Sequence, residues 1–217
     1  VQDLSVVVLF DGWNSFFRNR VVPWRMGMAE KTRTQLERDL LPHFMARQRW
    51  YGAKTEPLER VNLLHHATLQ ADGEQWLLAM VETVGPAAPA NYFVPMAIAF
   101  DDKDEDRTRE LTAQAVAKVR QQATMGVLAD AMADALFCRA LIEAIATPHT
   151  TKGDGGSLRF TPGATYSALV GDTFTATADA ETTAIRRLVG SSNSVSLIGE
   201  RLFLKAYRKI SSGINPE

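Results

Sequence analysis

Apolar residues recur along the chain with two spacings, one of a helix and one of strands. In residues 25–50, Met28, Leu36, Leu40, Leu41, Phe44 and Met45 fall three and four apart, which predicts an amphipathic helix. Pro42 has no N–H to give to the preceding turn, so an end or kink is expected near Leu41. Residues 58–69, 75–84 and 92–100 are strand-like runs, and Asp72-Gly73 between the first two is a hairpin signal. Together they predict an antiparallel meander packed on the helix, one small α+β module. A short strand is expected ahead of it at residues 4–10, LSVVVLF. Helical spacing returns over residues 107–121 and 125–146, where Leu128, Met132, Ala135, Leu136, Leu141, Ile142 and Ile145 repeat among alanines. Residues 147–157, TPHTTKGDGGS, predict a flexible linker. Beyond it, short strands are expected at 158–161, 166–170, 174–177, 185–189, 194–198 and 202–207.

Charge narrows the function classes. The 217 residues carry 24 Lys+Arg against 25 Asp+Glu, a net charge of −1, so the basic footprint of a nucleic-acid binder is missing. The longest apolar stretches fall far short of the ~20 residues that cross a bilayer, which points away from a membrane protein. One cysteine, Cys138, permits neither an intrachain disulfide nor a cysteine zinc cluster, and a reducing cytoplasm is the expected location. Asp3 stands where a secretory signal would be basic. Both ends read as cuts inside a longer protein, the last at Asn215-Pro216-Glu217, which has the chemistry of a helix start.

Most candidate chemistry dissolves on inspection. His65 and His66 are adjacent in an expected strand and point to opposite faces, so they cannot share a metal, and His43 and His149 lie elsewhere. Residues 101–106 are acidic but lack the glycine a calcium loop needs at its bend, and a solvated turn is the better reading. Cys138 sits among alanines and leucines as an inert buried thiol. Gly153-Asp154-Gly155-Gly156 lacks the Lys-Ser/Thr ending of a phosphate loop. Arg47, Arg49 and Lys54 bracket Trp50 and Tyr51, and Trp50 is expected to seal the helix against the sheet. Residues 191–208 differ: a small-residue turn, a strand, a tight hairpin, then a strand bearing Lys205 between Leu204 and Ala206. Small residues let a backbone approach phosphate, and a lysine on a following strand can reach its oxygens. Spacing alone still favours an ordinary edge-strand lysine.

Two separated stretches go further. LLPHFMARQRWYGAK (40–54) resembles the N-terminal cap of bacterial maltokinases, and SSNSVSLIGERLFLKAYRKISSGINPE (191–217) resembles the beginning of their kinase N-lobe. AKVRQQATMGVLADAMADALFCRALIEAI (117–145) is similar to the family between them, and VVVLFDGWNSFFRNRVVPWRMGMAEKTR, near the start, resembles the junction behind a fused trehalose synthase. The resemblance implies an α+β chain: a junction segment (1–24), a cystatin-like antiparallel sheet packed on a helix as the cap (25–104), a helical intermediate region (105–150) and the first strands of a protein-kinase-like N-lobe (151–217). It implies transfer of the γ-phosphate of ATP, with Mg2+, to the anomeric hydroxyl of maltose, in glycogen-type α-glucan synthesis. Lys205 matches the family's ATP-phosphate lysine, and Ser192, Asn193, Ser194 and Val195 match its phosphate-covering turn, behind Gly190-Ser191 where relatives often carry an acidic residue and glutamine. The catalytic aspartate, the metal ligands and most of the maltose pocket belong to a C-lobe expected after Glu217, so these residues alone are expected to be inactive. An N-lobe without its C-lobe exposes an apolar face, and homo-oligomers are expected. The alternative expectation is a non-catalytic module docking the kinase to a trehalose synthase.

Overall fold

The structure is a computed structural model that describes residues 4–17, 23–166, 168, 185–188, 193–199 and 202–213. Its strands are β1 (Val6–Leu9), β2 (Arg60–Ala71), β3 (Glu74–Val84), β4 (Asn91–Phe100), β5 (Ala115–Gln121), β6 (Thr124–Asp130), β7 (His149–Gly153), β8 (Gly156–Phe160), β9 (Ile185–Leu188), β10 (Ser194–Ile198), β11 (Leu202–Ala206) and β12 (Lys209–Ile210). The helices are α1 (Pro23–Gln35), α2 (Leu41–Ala46), α3 (Glu105–Thr112) and α4 (Ala135–Ala146).

A 7-stranded sheet forms the body, in the order β1-β5-β6-β4-β3-β2, with β12 also beside β4. The meander expected from the sequence is its β2-β3-β4 half. Asp72 (φ +50) and Gly73 (φ +80) turn β2 into β3, because a two-residue hairpin loop that follows strand twist needs positive φ at both positions. The sheet is covered on both faces, which is why β3 and β4 read as nearly continuous apolar runs. One face packs Leu36, Leu40, Leu41, Phe44 and Met45 against Val61, Leu63, Val81, Val94 and Val119. The other packs Leu111, Phe137 and Cys138 against Leu69, Trp76, Leu78 and Val127.

Strand β2 serves both cores by means of a bulge at Leu64. Leu63 pairs with Val81 and His65 with Met80, so one extra residue turns the later part of the strand over. Val61 and Leu63 therefore face the α1–α2 core, while Leu69 faces the α4 core. The backbone groups of Leu63 on the outer edge are satisfied by the helix: Arg33 Nη2 donates to its carbonyl (2.9 Å) and Glu37 Oε1 accepts from its N–H (2.9 Å).

The chain stays helical through Pro42, but its regular α-type bonding is interrupted just before it. Residues Leu36–Leu40 form one wider π-type turn between α1 and α2, and Pro42 lies in the first turn of α2, where its missing N–H costs little. Trp50 does seal the helix against the sheet, its ring 6.3 Å from Phe44 and 5.8 Å from Tyr92.

Four expectations are corrected. The helix expected over 107–121 is α3 followed by β5, and that expected over 125–146 is β6, a short 3-10 turn (Ala131–Ala133) and α4. The region 105–150 is thus strand and helix in alternation, and β5 and β6 join the same sheet as β2–β4. Packing overrode the helical propensity of alanine: Ala117 and Val119 are buried while Lys118 and Arg120 are exposed, a period of two. Gly126 lets β6 lie close to β4, since a Cβ there would stand 2.1 Å from the Ala99 carbonyl oxygen. The linker expected at 147–157 is the hairpin β7–β8, turned by Gly155 (φ +78) and tied to β2 by backbone bonds between Asp154 and His66. Residue Tyr166, expected to begin a strand, is helical, and the strand expected at 174–177 lies outside the described residues.

Candidate functional site

Strands β9, β10 and β11 form a separate antiparallel sheet in the order β11-β10-β9. Alternation sorts their side chains into two faces. Ser194, Ser196 and Ile198, opposite Ala206, Leu204 and Leu202, face the cap. Val195 and Leu197, opposite Lys205 and Phe203, face away from it, alongside Leu188 and Arg186 of β9. The outward face is apolar around two cations, Arg186 and Lys205: Phe203 is 68% exposed, both cations are exposed, and the lysine Nζ lies 4.9 Å from the ring centre of Tyr207.

The structure places the sequence-derived candidates unevenly. Lys205 and Val195 are direct cross-strand partners on the outward face. Asn193 immediately precedes β10 and is half-buried. Ser194 points the other way, is 4% exposed, and its hydroxyl accepts a hydrogen bond from Arg208 Nε at 2.7 Å. Ser192 lies outside the described residues.

The inner face carries what sequence reasoning missed. Arg208 is fully buried, and besides Ser194 it donates from Nη1 to the Phe93 carbonyl (3.3 Å) and from Nη2 to Asp130 Oδ2 (2.5 Å). Its guanidinium carbon lies 5.0 Å from the centre of the Trp50 ring. Asp130, also fully buried, spends its other oxygen on the N–H of Met132 (3.0 Å), capping the turn that leads into α4. The signal was present in the alternation: Ala206 is inward, so Arg208 is inward too, yet its neighbour Lys209 made the pair read as a solvated run.

A second buried network stands at the start of α4. Asp134 Oδ2 accepts from Trp76 Nε1 (2.7 Å) and Arg107 Nη2 (2.7 Å), and Oδ1 accepts from Leu136 N (3.1 Å). Arg107 Nη1 reaches Glu74 at 2.6 Å. Burial alone would lower the Arg107 guanidinium, but its hydrogen bonds to Asp134 and Glu74 and their charges raise it above its ordinary value. This holds a helix start against a strand and presents no reactive geometry.

Cys138 is buried, and loss of solvent pushes its thiol up to about 12, so it is inert as expected. His65 and His66 fall on opposite faces, and among the described residues there is no cluster of histidine, cysteine and carboxylate side chains able to hold a metal. No helix among the described residues is long and apolar enough to cross a membrane.

His66 stacks on Phe17 with ring centres 3.9 Å apart, and burial lowers its pKa, opposed by Asp154 and assisted by Arg33. The unfolded chain therefore takes up this proton first, and stability falls as pH drops from the ordinary 6.5 toward the lower folded value, then levels off. His66→Phe keeps the stack and is expected to flatten that slope, measured by urea unfolding between neutral pH and about pH 5.5.

Comparison with known families now bears on this geometry. Residues 44–134 match the family described as the maltokinase N-terminal cap domain. This segment is similar to a maltokinase cap. No curated protein matches the chain. The matched cap runs from Phe44 of α2 through β2–β6 to Asp134, the N-cap of α4. It contains Trp50, Phe93 and Asp130, so every group that receives Arg208 outside its own hairpin lies in the matched segment. The matched residues also include β5 and β6.

Proposed function

We propose that this chain is the N-terminal part of a maltokinase, in which the cap is followed by the first strands of a kinase-like N-lobe. The observation that carries this reading is that the maltokinase cap and the Lys205 hairpin are fastened together through Arg208, in the order the family resemblance requires. The reaction is transfer of the γ-phosphate of ATP to the anomeric hydroxyl of maltose, giving maltose 1-phosphate for α-glucan synthesis. A trehalose synthase fused ahead of residue 1 would make the maltose from trehalose.

The residues present fit a nucleotide in part. Val195, Leu197, Leu188 and Phe203 offer an apolar face to a flat base, and Lys205 beside them offers a compact cation to phosphate oxygens. Asn193 immediately precedes β10. Ser194 is committed to Arg208, so its hydroxyl is withdrawn from the phosphates. MgATP, when bound, supplies the phosphoryl group; Lys205 holds phosphate oxygens and orients them, and a C-lobe beyond residue 217 supplies the base, the metal ligands and the sugar pocket.

Lys205→Ala in the complete protein tests the assignment. Its exposed position means the fold loses little, while kcat/KM for ATP is expected to fall by about tenfold or more, a loss of about 1.4 kcal/mol of transition-state stabilisation. A coupled ADP-release assay with maltose reads the effect. Unchanged kcat/KM would remove Lys205 from the nucleotide site.

A further inference from the structure

We propose that Asp130 and Arg208 are positioning residues for Lys205, a latch by which the cap fixes the register and place of the strand that carries the nucleotide lysine. This rests on the maltokinase reading above and gives the cap a role in it. Lys205 and Arg208 are separated only by Ala206 and Tyr207 but face opposite ways, the lysine outward and the arginine into the cap. Arg208 therefore touches no nucleotide surface and can act only through the strands it holds.

The guanidinium is a planar fork with donors in fixed directions. Nε goes to Ser194 on β10, Nη1 to the Phe93 carbonyl on β4, and Nη2 to Asp130 at the end of β6. Ser194 immediately precedes Val195, the ladder partner of Lys205, so one side chain pins both strands that flank the lysine. The main chain adds to it: Phe93 N donates to the Arg208 carbonyl at 2.7 Å, and β12 pairs with Tyr92 and Asn91. That pairing covers the stretch of the β4 edge that β6, which pairs only with Met96–Phe100, leaves bare.

Apart from a long hydrogen bond between Cys138 Sγ and Ser196 Oγ (3.9 Å), the other side-chain contacts that seat this hairpin are mainly apolar. Ile198 packs with Ile142 of α4, and Ala206 joins the cluster of Phe137, Cys138 and Phe160. Such contacts are non-directional and tolerate sliding. A slip of one residue would turn Lys205 to the inner face and Ala206 outward. A buried ion pair is a poor source of net stability compared with an apolar isostere, but it is directional, and register is where its effect lies.

The test uses the complete protein with Asp130→Asn, which removes the charge and keeps an acceptor, and Arg208→Lys, which keeps the charge but not the fork. In Asp130→Asn the KM for ATP is expected to rise about tenfold with the KM for maltose within about twofold. Amide hydrogen exchange in β10 and β11 is expected to accelerate about tenfold, with β2 and β3 unchanged. Arg208→Lys is expected to fall between wild type and Asp130→Asn in both readouts. A purely structural role predicts less active protein with both KM values unchanged, and that result overturns the proposal. Wild-type protein that transfers no phosphate to maltose is the failure of the maltokinase reading and is seen before any variant is compared. Exchange alone then decides the latch: faster β10 and β11 support it, and unchanged exchange overturns it.

Discussion

Arg208→Met is expected to lower the free energy of unfolding by about 3–5 kcal/mol. The substitution roughly preserves volume and apolar stem packing. What it removes is the only partner of Asp130 Oδ2 among the described groups, and both side chains of this pair are 0% exposed. A carboxylate stranded in the interior costs far more than the hydrogen bonds lost with it. The Ser194 hydroxyl and Phe93 carbonyl lose their guanidinium donors at the same moment. Urea unfolding monitored by tryptophan fluorescence measures the loss directly, since Trp50 lies against the guanidinium. The double variant Arg208→Met with Asp130→Leu is expected to recover most of it, because it removes the stranded charge together with its partner. Met132 N, which Asp130 also caps, keeps the recovery short of complete.

Asp134→Ala is expected to cost a similar amount, about 3–5 kcal/mol. One carboxylate, with its side chain 1% exposed, holds Trp76 Nε1, the Arg107 guanidinium and the N–H of Leu136 in the first turn of α4. Its removal leaves an indole N–H buried without an acceptor, leaves Arg107 with Glu74 alone, and uncaps the helix, the last worth about 1 kcal/mol by itself. Glu74→Gln is the informative comparison. That carboxylate is 28% exposed, water competes for it, and the expected loss is within about 1 kcal/mol. Because α4 carries Phe137, Cys138 and Ile142, which bed the Lys205 hairpin, Asp134→Ala is also expected to loosen the hairpin.

The meander, its Asp-Gly turn and the helix that covers it were legible because each rests on local chemistry: alternation, a positive-φ pair and a spacing of three and four. The strands β5 and β6 were hidden by alanine, whose helical preference is real but small beside the burial that a central sheet position provides. Their tell was Lys118 and Arg120 alternating with Ala117 and Val119. The Asp154-Gly155 hairpin was hidden by its glycines, which read equally well as a flexible linker; only pairing with His66 on β2 gives it a fixed shape. At the candidate site, Lys205 and Val195 came from a motif and share a face. Asp130 and Arg208 are 78 positions apart, and no pattern in either segment announces a long-range ion pair. Ser194 shows the limit of motif reading: the hydroxyl suits phosphate, but its position on the strand turns it inward.

The most direct test of the maltokinase assignment is phosphorus NMR of the product formed by the complete protein with MgATP and maltose. The expected result is one new phosphomonoester, formed mole for mole with ADP, whose phosphorus couples to the anomeric proton of the sugar. A phosphoester on another hydroxyl, or ADP with no sugar phosphate at all, would contradict it and leave the cap as a fold shared with maltokinases but serving a different acceptor.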